Sequence, residues 1–225
     1  MDVTEARRSS KAEHVYRELK ESILSGVLAP GGAIDKHALC ERLGVSRFPV
    51  SSAVSRLAYE RLVTIEPQHG SFVAKISIDD VRERLMVRRA IESEVAALAA
   101  AHRPADGGAA IERNLGDQKA AMEARDLPGF YALDVEFHRL LTAMLGLRHC
   151  AEILDGLRTH LERVRRLLLA PPGRMPRTFA EHGAIAEAVL GGDEAGARGA
   201  MHHHLQQTTD LFETFAREHA SLFSR

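Results

Sequence analysis

The 225-residue sequence is short of the features that mark secreted, membrane-bound and hydrolytic metal proteins. It holds two cysteines, Cys40 and Cys150. That is too few for a disulfide framework, so a reducing cytoplasm is the expected location. No apolar run approaches the roughly 20 residues that cross a bilayer. The opening stretch MDVTEARRSSKAEHVYREL has no apolar segment of the kind a secretory signal needs. A His-Glu-x-x-His pair is missing, as are internal repeats and low-complexity tracts. Charge of one sign is missing too, with 30 Lys and Arg against 31 Asp and Glu. Residues 1–75 carry 11 basic against 9 acidic side chains, and residues 76–225 carry 19 against 22. Nucleic-acid binding needs a positive patch rather than a positive total, so this balance permits it without showing it.

What is present is a water-compatible chain with enough apolar residues for a real core, 45% apolar and 27% charged. Val15, Leu19, Ile23 and Leu24 form one helical stripe from about Lys11 to Ser25, stopped by Gly26 and Pro30-Gly31-Gly32. A short helix follows from Lys36 to Leu43. Ser46 is placed to cap a third helix reaching about Arg61, with Pro49 in its first turn and Ala53, Val54 and Leu57 inward. The period then switches. Leu62–Glu66 and Ser71–Ala74 are β-prone runs about the turn Pro67-Gln68-His69-Gly70, a hairpin. Ser77 is placed to cap a fourth helix, with Asp80 as capping-box partner. Helices are expected from there on, at about Ile78–Ala101, Ala109–Ala124, Pro128–Leu145, Cys150–Leu169, Arg177–Leu190 and Glu194–Phe223. The first break between them is Arg103-Pro104-Ala105-Asp106-Gly107-Gly108. The expected fold is mainly α. A winged helix-turn-helix of three helices and a β-hairpin occupies residues 10–75, and an all-helical bundle occupies residues 78–222.

Leu43-Gly44-Val45-Ser46-Arg47 supplies the tight turn that a helix-turn-helix requires. Arg47 then leaves the first turn of the second helix, where a side chain reaches base edges and can pair with guanine. Ser51, Ser52 and Ser55 offer hydroxyls on the same helix, and Arg56 is a candidate phosphate contact. His69 and Gly70, at the hairpin tip, are candidates for an adjacent groove. Helical domains that never touch DNA also contain such turns; the complete order of helix, helix-turn-helix and hairpin carries the reading. A homodimer on a palindromic operator in double-stranded DNA is the matching assembly.

Four residues in the second half form a candidate metal set. Asp134 and His138 lie four apart with Tyr131, Leu141 and Leu145 on one helix face. His182 shares a face with Thr178, Ile185 and Val189. His204 lies on the stripe Ala197, Met201, Thr208, Leu211 and Phe215, while His202 and His203 point away from it. Any one of these histidines is more simply a hydrogen-bonded core residue. Three imidazoles and a carboxylate together suit a divalent ion such as Zn, Ni, Mn or Fe. A metal-dependent hydrolase with an accessory DNA-binding-like domain is the alternative, although no carboxylate beyond Asp134 presents itself as a base. A purely structural metal is a third.

On these residues the chain resembles GntR-type regulators. Residues 12–75 are similar to their winged helix, through Ile23-Leu24-Ser25-Gly26-Val27-Leu28-Ala29-Pro30-Gly31, Leu43-Gly44-Val45-Ser46-Arg47-Phe48-Pro49-Val50, Leu57 to Val63 and Gly70. Residues from about 78 to 220 resemble the FCD ligand-binding domain of the FadR-like branch. Val87-Arg88-Arg89-Ala90-Ile91-Glu92, Asp134-Val135-Glu136-Phe137-His138, Glu181-His182 with Ile185, and Ala200-Met201 through His204-Leu205 carry that likeness. The resemblance implies a ligand-responsive transcription regulator, not an enzyme, with its metal on Asp134, His138, His182 and His204. It also implies that Arg88 lies near the effector. A small organic acid would suit an arginine beside a metal, since its carboxylate can ligate one and accept from the other. The simpler role for Arg88 is a salt bridge to Glu92. Two departures stand out. Pro49-Val50-Ser51-Ser52-Ala53 replaces the family's Pro-Val-Arg-Glu-Ala, and His37 stands where many relatives carry arginine, so the operator is expected to differ.

Overall fold

The computed structural model describes residues 3–102, 107–169 and 171–224. The part of the first interhelical break at residues 103–106 lies outside them. The chain divides into a unit of Met1–Ile78 with His219–Arg225 and a unit of Asp79–Glu218.

In the first unit, Val15, Leu19 and Ile23 recur every four residues and are buried along α1 (Val3–Leu24). They join Val50, Ala53, Val54 and Leu57 of α3 (Arg47–Tyr59) in one apolar cluster. Burying side chains of that size contributes about 1.5–3 kcal/mol each. Between them lies α2 (Lys36–Leu43), and both of its ends are fixed locally. Asp35 accepts from the His37 and Ala38 amides, each at 2.9 Å. Gly44 closes the helix at φ +61°, a left-handed conformation that costs glycine little. Ser46 occupies the N-cap position of α3 in extended backbone, but its hydroxyl makes no capping bond.

The hairpin pairs β1 (Val63–Glu66) with β2 (Gly70–Val73) in antiparallel register, Val63 opposite Val73 and Glu66 opposite Gly70. Residues 31–34 add a third edge to it. Gly31 donates to Val73 O at 2.8 Å, and Ile34 donates to Ser71 O at 2.7 Å. A further short pair is parallel: β3 (Ile76–Ser77) beside β4 (Phe223–Ser224). The last helix therefore does not reach Phe223. It stops at Glu218, passes through a 3-10 turn at Ala220–Leu222, and delivers a buried Phe223 to β3. Strand pairing here overrides a helical pattern in the sequence.

The second unit is helical throughout: α4 (Ile78–His102), α5 (Gly107–Glu123), α6 (Leu127–Met144), α7 (Arg148–Leu169), α8 (Arg174–Gly191) and α9 (Glu194–Glu218). Asp126 caps α6 by accepting from the Gly129 amide at 3.0 Å. Asp193 does the same for α9 through Gly196 at 2.9 Å, which offsets the weak helix propensity of Gly196 and Gly199. Ile111, Phe137, Leu141, Ile185, Val189 and Met201 anchor the apolar core. Along α9 the buried face includes Ala197, Met201 and His204 and then turns by one residue, so Phe212 and Ala216 are buried in place of Leu211 and Phe215. Among the described residues, no helix is long and apolar enough to cross a membrane.

Candidate functional site

Helical spacing brings the candidate metal ligands to one point. Asp134 and His138 leave α6 one turn apart, His182 comes from α8 and His204 from α9; all four are buried. One donor atom from each lies within 4.8 Å of the others. Ligands about 2.1 Å from a shared ion stand at most about 4.2 Å apart, so small side-chain rotations close the set. His182 is stacked on Phe137, with ring centroids 4.2 Å apart and planes 13° from parallel. The two exposed neighbours of His204, His202 and His203, stay out of the cluster.

Each imidazole is oriented from behind. Glu92 Oε2 of α4 stands 2.5 Å from His138 Nδ1. Gln118 Oε1 of α5 lies 2.9 Å from His182 Nδ1. Glu181 Oε2, beside His182 on α8, lies 2.7 Å from His204 Nδ1. In His182 and His204, Nδ1 meets an oxygen acceptor, so the proton belongs there and the Nε2 lone pair is left for a ligand, the usual arrangement around a ligated metal. The Nε2 atoms of His138 and His182 are buried without a hydrogen-bond partner, His138 Nδ1 meets Glu92 as an ion-pair contact outside hydrogen-bond geometry, and Asp134 Oδ1 lies 3.4 Å from His182 Nε2. Buried imidazole nitrogens left unpaired are costly unless something fills the space between them. The residues fit a divalent ion.

Electrostatics agree with that fit. Burial pushes the His182 and His204 pKa values well below the usual imidazole value, and the neighbouring imidazoles push the same way. Burial also lowers His138, partly opposed by Glu92. The three rings are therefore neutral at neutral pH, the state in which an imidazole can ligate a metal. Burial disfavours the Asp134 carboxylate, but Arg165 and the neighbouring His182, His138 and His204 together outweigh it and hold the pKa below the ordinary range. Burial likewise opposes charge on Glu92, and Arg88 with His138 overcomes it.

Arg88 is 1% exposed and makes the salt bridge to Glu92, with Nε to Oε1 at 2.6 Å and Nη2 to Oε2 at 3.3 Å. It also lines a cavity of about 20 Å³ with Asp134, Arg165, Arg174, Thr178 and His204. Two buried polar atoms on that lining, Arg165 Nη1 and Thr178 Oγ1, have no hydrogen-bond partner. The other terminal nitrogen of the Arg165 guanidinium, Nη2, is paired with Asp134. Arg174 reaches Glu181 at 3.4 Å. Three arginines, Arg88, Arg165 and Arg174, thus line the cavity.

In the first unit, α3 turns Pro49, Val50, Ala53, Val54 and Leu57 inward and leaves Arg47, Phe48, Ser51, Ser52, Ser55 and Arg56 exposed. His69 and Gly70 are exposed at the hairpin tip. Arg56 is engaged within the unit: Nη1 donates to Glu13 Oε2 at 2.6 Å, and the guanidinium lies 3.6 Å from the Tyr16 ring centre. Tyr16 and Lys20 both donate to Glu60, at 2.7 and 2.8 Å, completing a polar seam between α1 and the end of α3.

Gln118, Arg165 and Arg174 escaped the sequence reading, and Glu181 entered it only through family likeness. One signal was available: Ile111, Asn114 and Gln118 share an α5 face with helical spacing, so a polar residue on an apolar stripe was visible.

A scan of protein-family descriptions finds "Bacterial regulatory proteins, gntR family" over residues 11–73 and "FCD domain" over residues 83–207. The chain is 33% identical over 215 residues to the HTH-type transcriptional repressor RspR of Escherichia coli (strain K12), covering 94% of this chain and 93% of that protein. It is 34% identical over 213 residues to an HTH-type transcriptional regulator in an unstable DNA locus of Streptomyces ambofaciens, covering 93% and 88%. Among solved structures it is similar in fold to E. coli McbR/YncC, with a TM-score of 0.70 at 20% identity over 91% of this chain and 97% of that one. A family of transcription regulators leaves the hydrolase alternative without support. The chain belongs to the GntR family, in the FadR-like subfamily with an FCD domain, and is a DNA-binding transcription regulator.

Proposed function

We propose that this regulator is a metal-dependent sensor of a small carboxylate, acting in the cytoplasm as a homodimer on a palindromic operator. The observation that carries the sensor reading is the convergence of Asp134, His138, His182 and His204, with the Nε2 atoms of His138 and His182 buried and unpaired. Those four residues would hold the ion, which would supply a positive charge beside the cavity that Asp134 and His204 help to line. Arg165 Nη1 and Thr178 Oγ1 supply unused donors beside it, and Arg174 adds charge. Arg88 contributes to the same lining while fixing Glu92, and through it His138. An anion there gains charge-assisted hydrogen bonds in a water-poor setting, where they are about twice as strong as neutral ones.

On the DNA side, Arg47 reads a base in the major groove and Ser51 and Ser52 add hydroxyl contacts. His69 and Gly70 meet the neighbouring backbone or groove. Arg56 keeps half its surface exposed, so it can approach a phosphate while bracing α1 against α3. The name of the E. coli relative favours repression as the mode of action.

A thermal-shift screen of small carboxylates, with and without a chelator, tests the sensor. The expected result is a rise in melting temperature with selected acids that disappears on chelation. Equal shifts with and without chelator would separate the acid from the metal set and refute the shared site.

A further inference from the structure

We propose that Phe48 reads a thymine methyl group in the operator, next to the base pair that Arg47 contacts. The inference rests on α3 being the helix that enters the major groove. Phe48 is 67% exposed at the second residue of α3. The inner face of the helix is already filled by Val50, Ala53, Val54 and Leu57, and the described residues leave most of the phenyl ring open to water.

The chemistry of that exposed face leaves discrimination to two residues. Arg47 is exposed and has no ion-pair partner among the described residues, so its guanidinium is free for the two acceptors of guanine. The hydroxyls of Ser51 and Ser52 both donate and accept, so they tolerate any base. Arg56 is held by Glu13 and Tyr16. Phe48 is the apolar group on the leading turn, and the one apolar feature on a major-groove base edge is the thymine C5-methyl. Ser51 and Ser52 stand three and four residues on from Phe48, so the ring lies on the same helix face as the hydroxyls. Adjacent residues diverge by about 100° around a helix, which sends Phe48 to a neighbouring base pair instead of the guanine read by Arg47.

The test starts from an operator selected out of a random duplex pool by the purified full-length protein. Each thymine is then replaced singly by deoxyuridine, which keeps the base pairing and removes only the methyl. Dissociation constants are measured for the wild type, Phe48→Ala and Phe48→Leu. A buried methyl is worth about 0.8 kcal/mol, so the wild type should bind about fourfold more weakly at one or two deoxyuridine positions. Phe48→Ala should bind the all-thymine operator correspondingly more weakly and be indifferent to deoxyuridine at those positions. Phe48→Leu should keep part of the sensitivity, and all three proteins should melt alike. A wild type indifferent to every deoxyuridine, or an alanine variant that keeps the same penalty, overturns the assignment while leaving DNA binding intact. Failure of the wild type to select any sequence would instead remove the groove-reading role of α3, and this assignment with it.

Discussion

The two units place their chemistry on opposite sides of their own surfaces. The first has an apolar cluster from Val15 to Val73, with its charges at the rim: Lys20 with Glu60, and Arg56 with Glu13, are partly exposed pairs. Pairs of that kind contribute little to stability. Its functional candidates, Arg47, Phe48, Ser51 and Ser52, face water and take no part in the core. The second unit buries its functional groups. Arg88, Glu92, Asp134, His138, His182 and His204 are all at most 3% exposed. A surface function leaves the fold free to tolerate change, whereas a buried one makes the fold depend on every charge being matched.

That contrast can be broken by substitution. The largest effect is expected from His182→Ala, which removes a ligand from the centre. Losing an outer partner of a metal ligand already costs about 10- to 100-fold in affinity, so loss of the ligand itself should leave the purified protein nearly metal-free by elemental analysis. His203→Ala, on the exposed face of α9, should keep its metal. Full metal in both variants would remove His182 from the site.

A second comparison sets one arginine against another. Arg88→Met removes the two-point partner of buried Glu92, leaving it His138 and a longer contact to Arg158, and should lower the unfolding free energy of the helical unit by about 3 kcal/mol in urea titration. Arg56→Met breaks only half-exposed pairs and should move its unit's transition far less. Comparable shifts in both would contradict the division between buried and rim charges.

The third expectation concerns pH. In the metal-free protein the folded pKa values of His182 and His204 lie below the ordinary 6.5, so the unfolded chain takes up protons first. Stability should be retained above about pH 6.5 and fall as the pH drops beneath it, by up to about 1.4 kcal/mol per pH unit for each imidazole. A chelated protein whose denaturation midpoint stays constant from pH 7 to 5.5 would show that these rings are not buried neutral.

The smallest effect on the fold is expected from Arg47→Ala. It should weaken operator binding by about 1–3 kcal/mol and leave the melting curve unchanged. Unaltered operator affinity would take Arg47 off the interface.

Local punctuation explains why much of the fold was legible. Asp35 and Gly44 bracket α2 with a side-chain cap and a left-handed turn, and both signals sit within the segment they delimit. Phe223 was not legible, because its place in β4 depends on Ile76, a partner far away in sequence. The same distinction runs through the site. Asp134, His138, His182 and His204 share stripes with apolar neighbours, so their inward direction shows in the spacing. Arg165 lies beside Arg163 and Arg166, and Arg174 lies three residues from Arg177, and a charged side chain is by itself expected to face solvent. Which of those arginines is buried depends on the helix packed opposite. Arg56 shows the converse, because its partners Glu13 and Tyr16 lie on another helix.

The most direct measurement is a calorimetric titration of the chelator-treated protein with Zn²⁺ near neutral pH, in buffers of different ionisation enthalpy. One ion per chain is expected, with a heat that barely changes between buffers because the imidazoles bind already deprotonated. Binding should be lost in His138→Ala and His204→Ala. No saturable uptake, or uptake that survives both substitutions, would contradict a metal centre built on these residues.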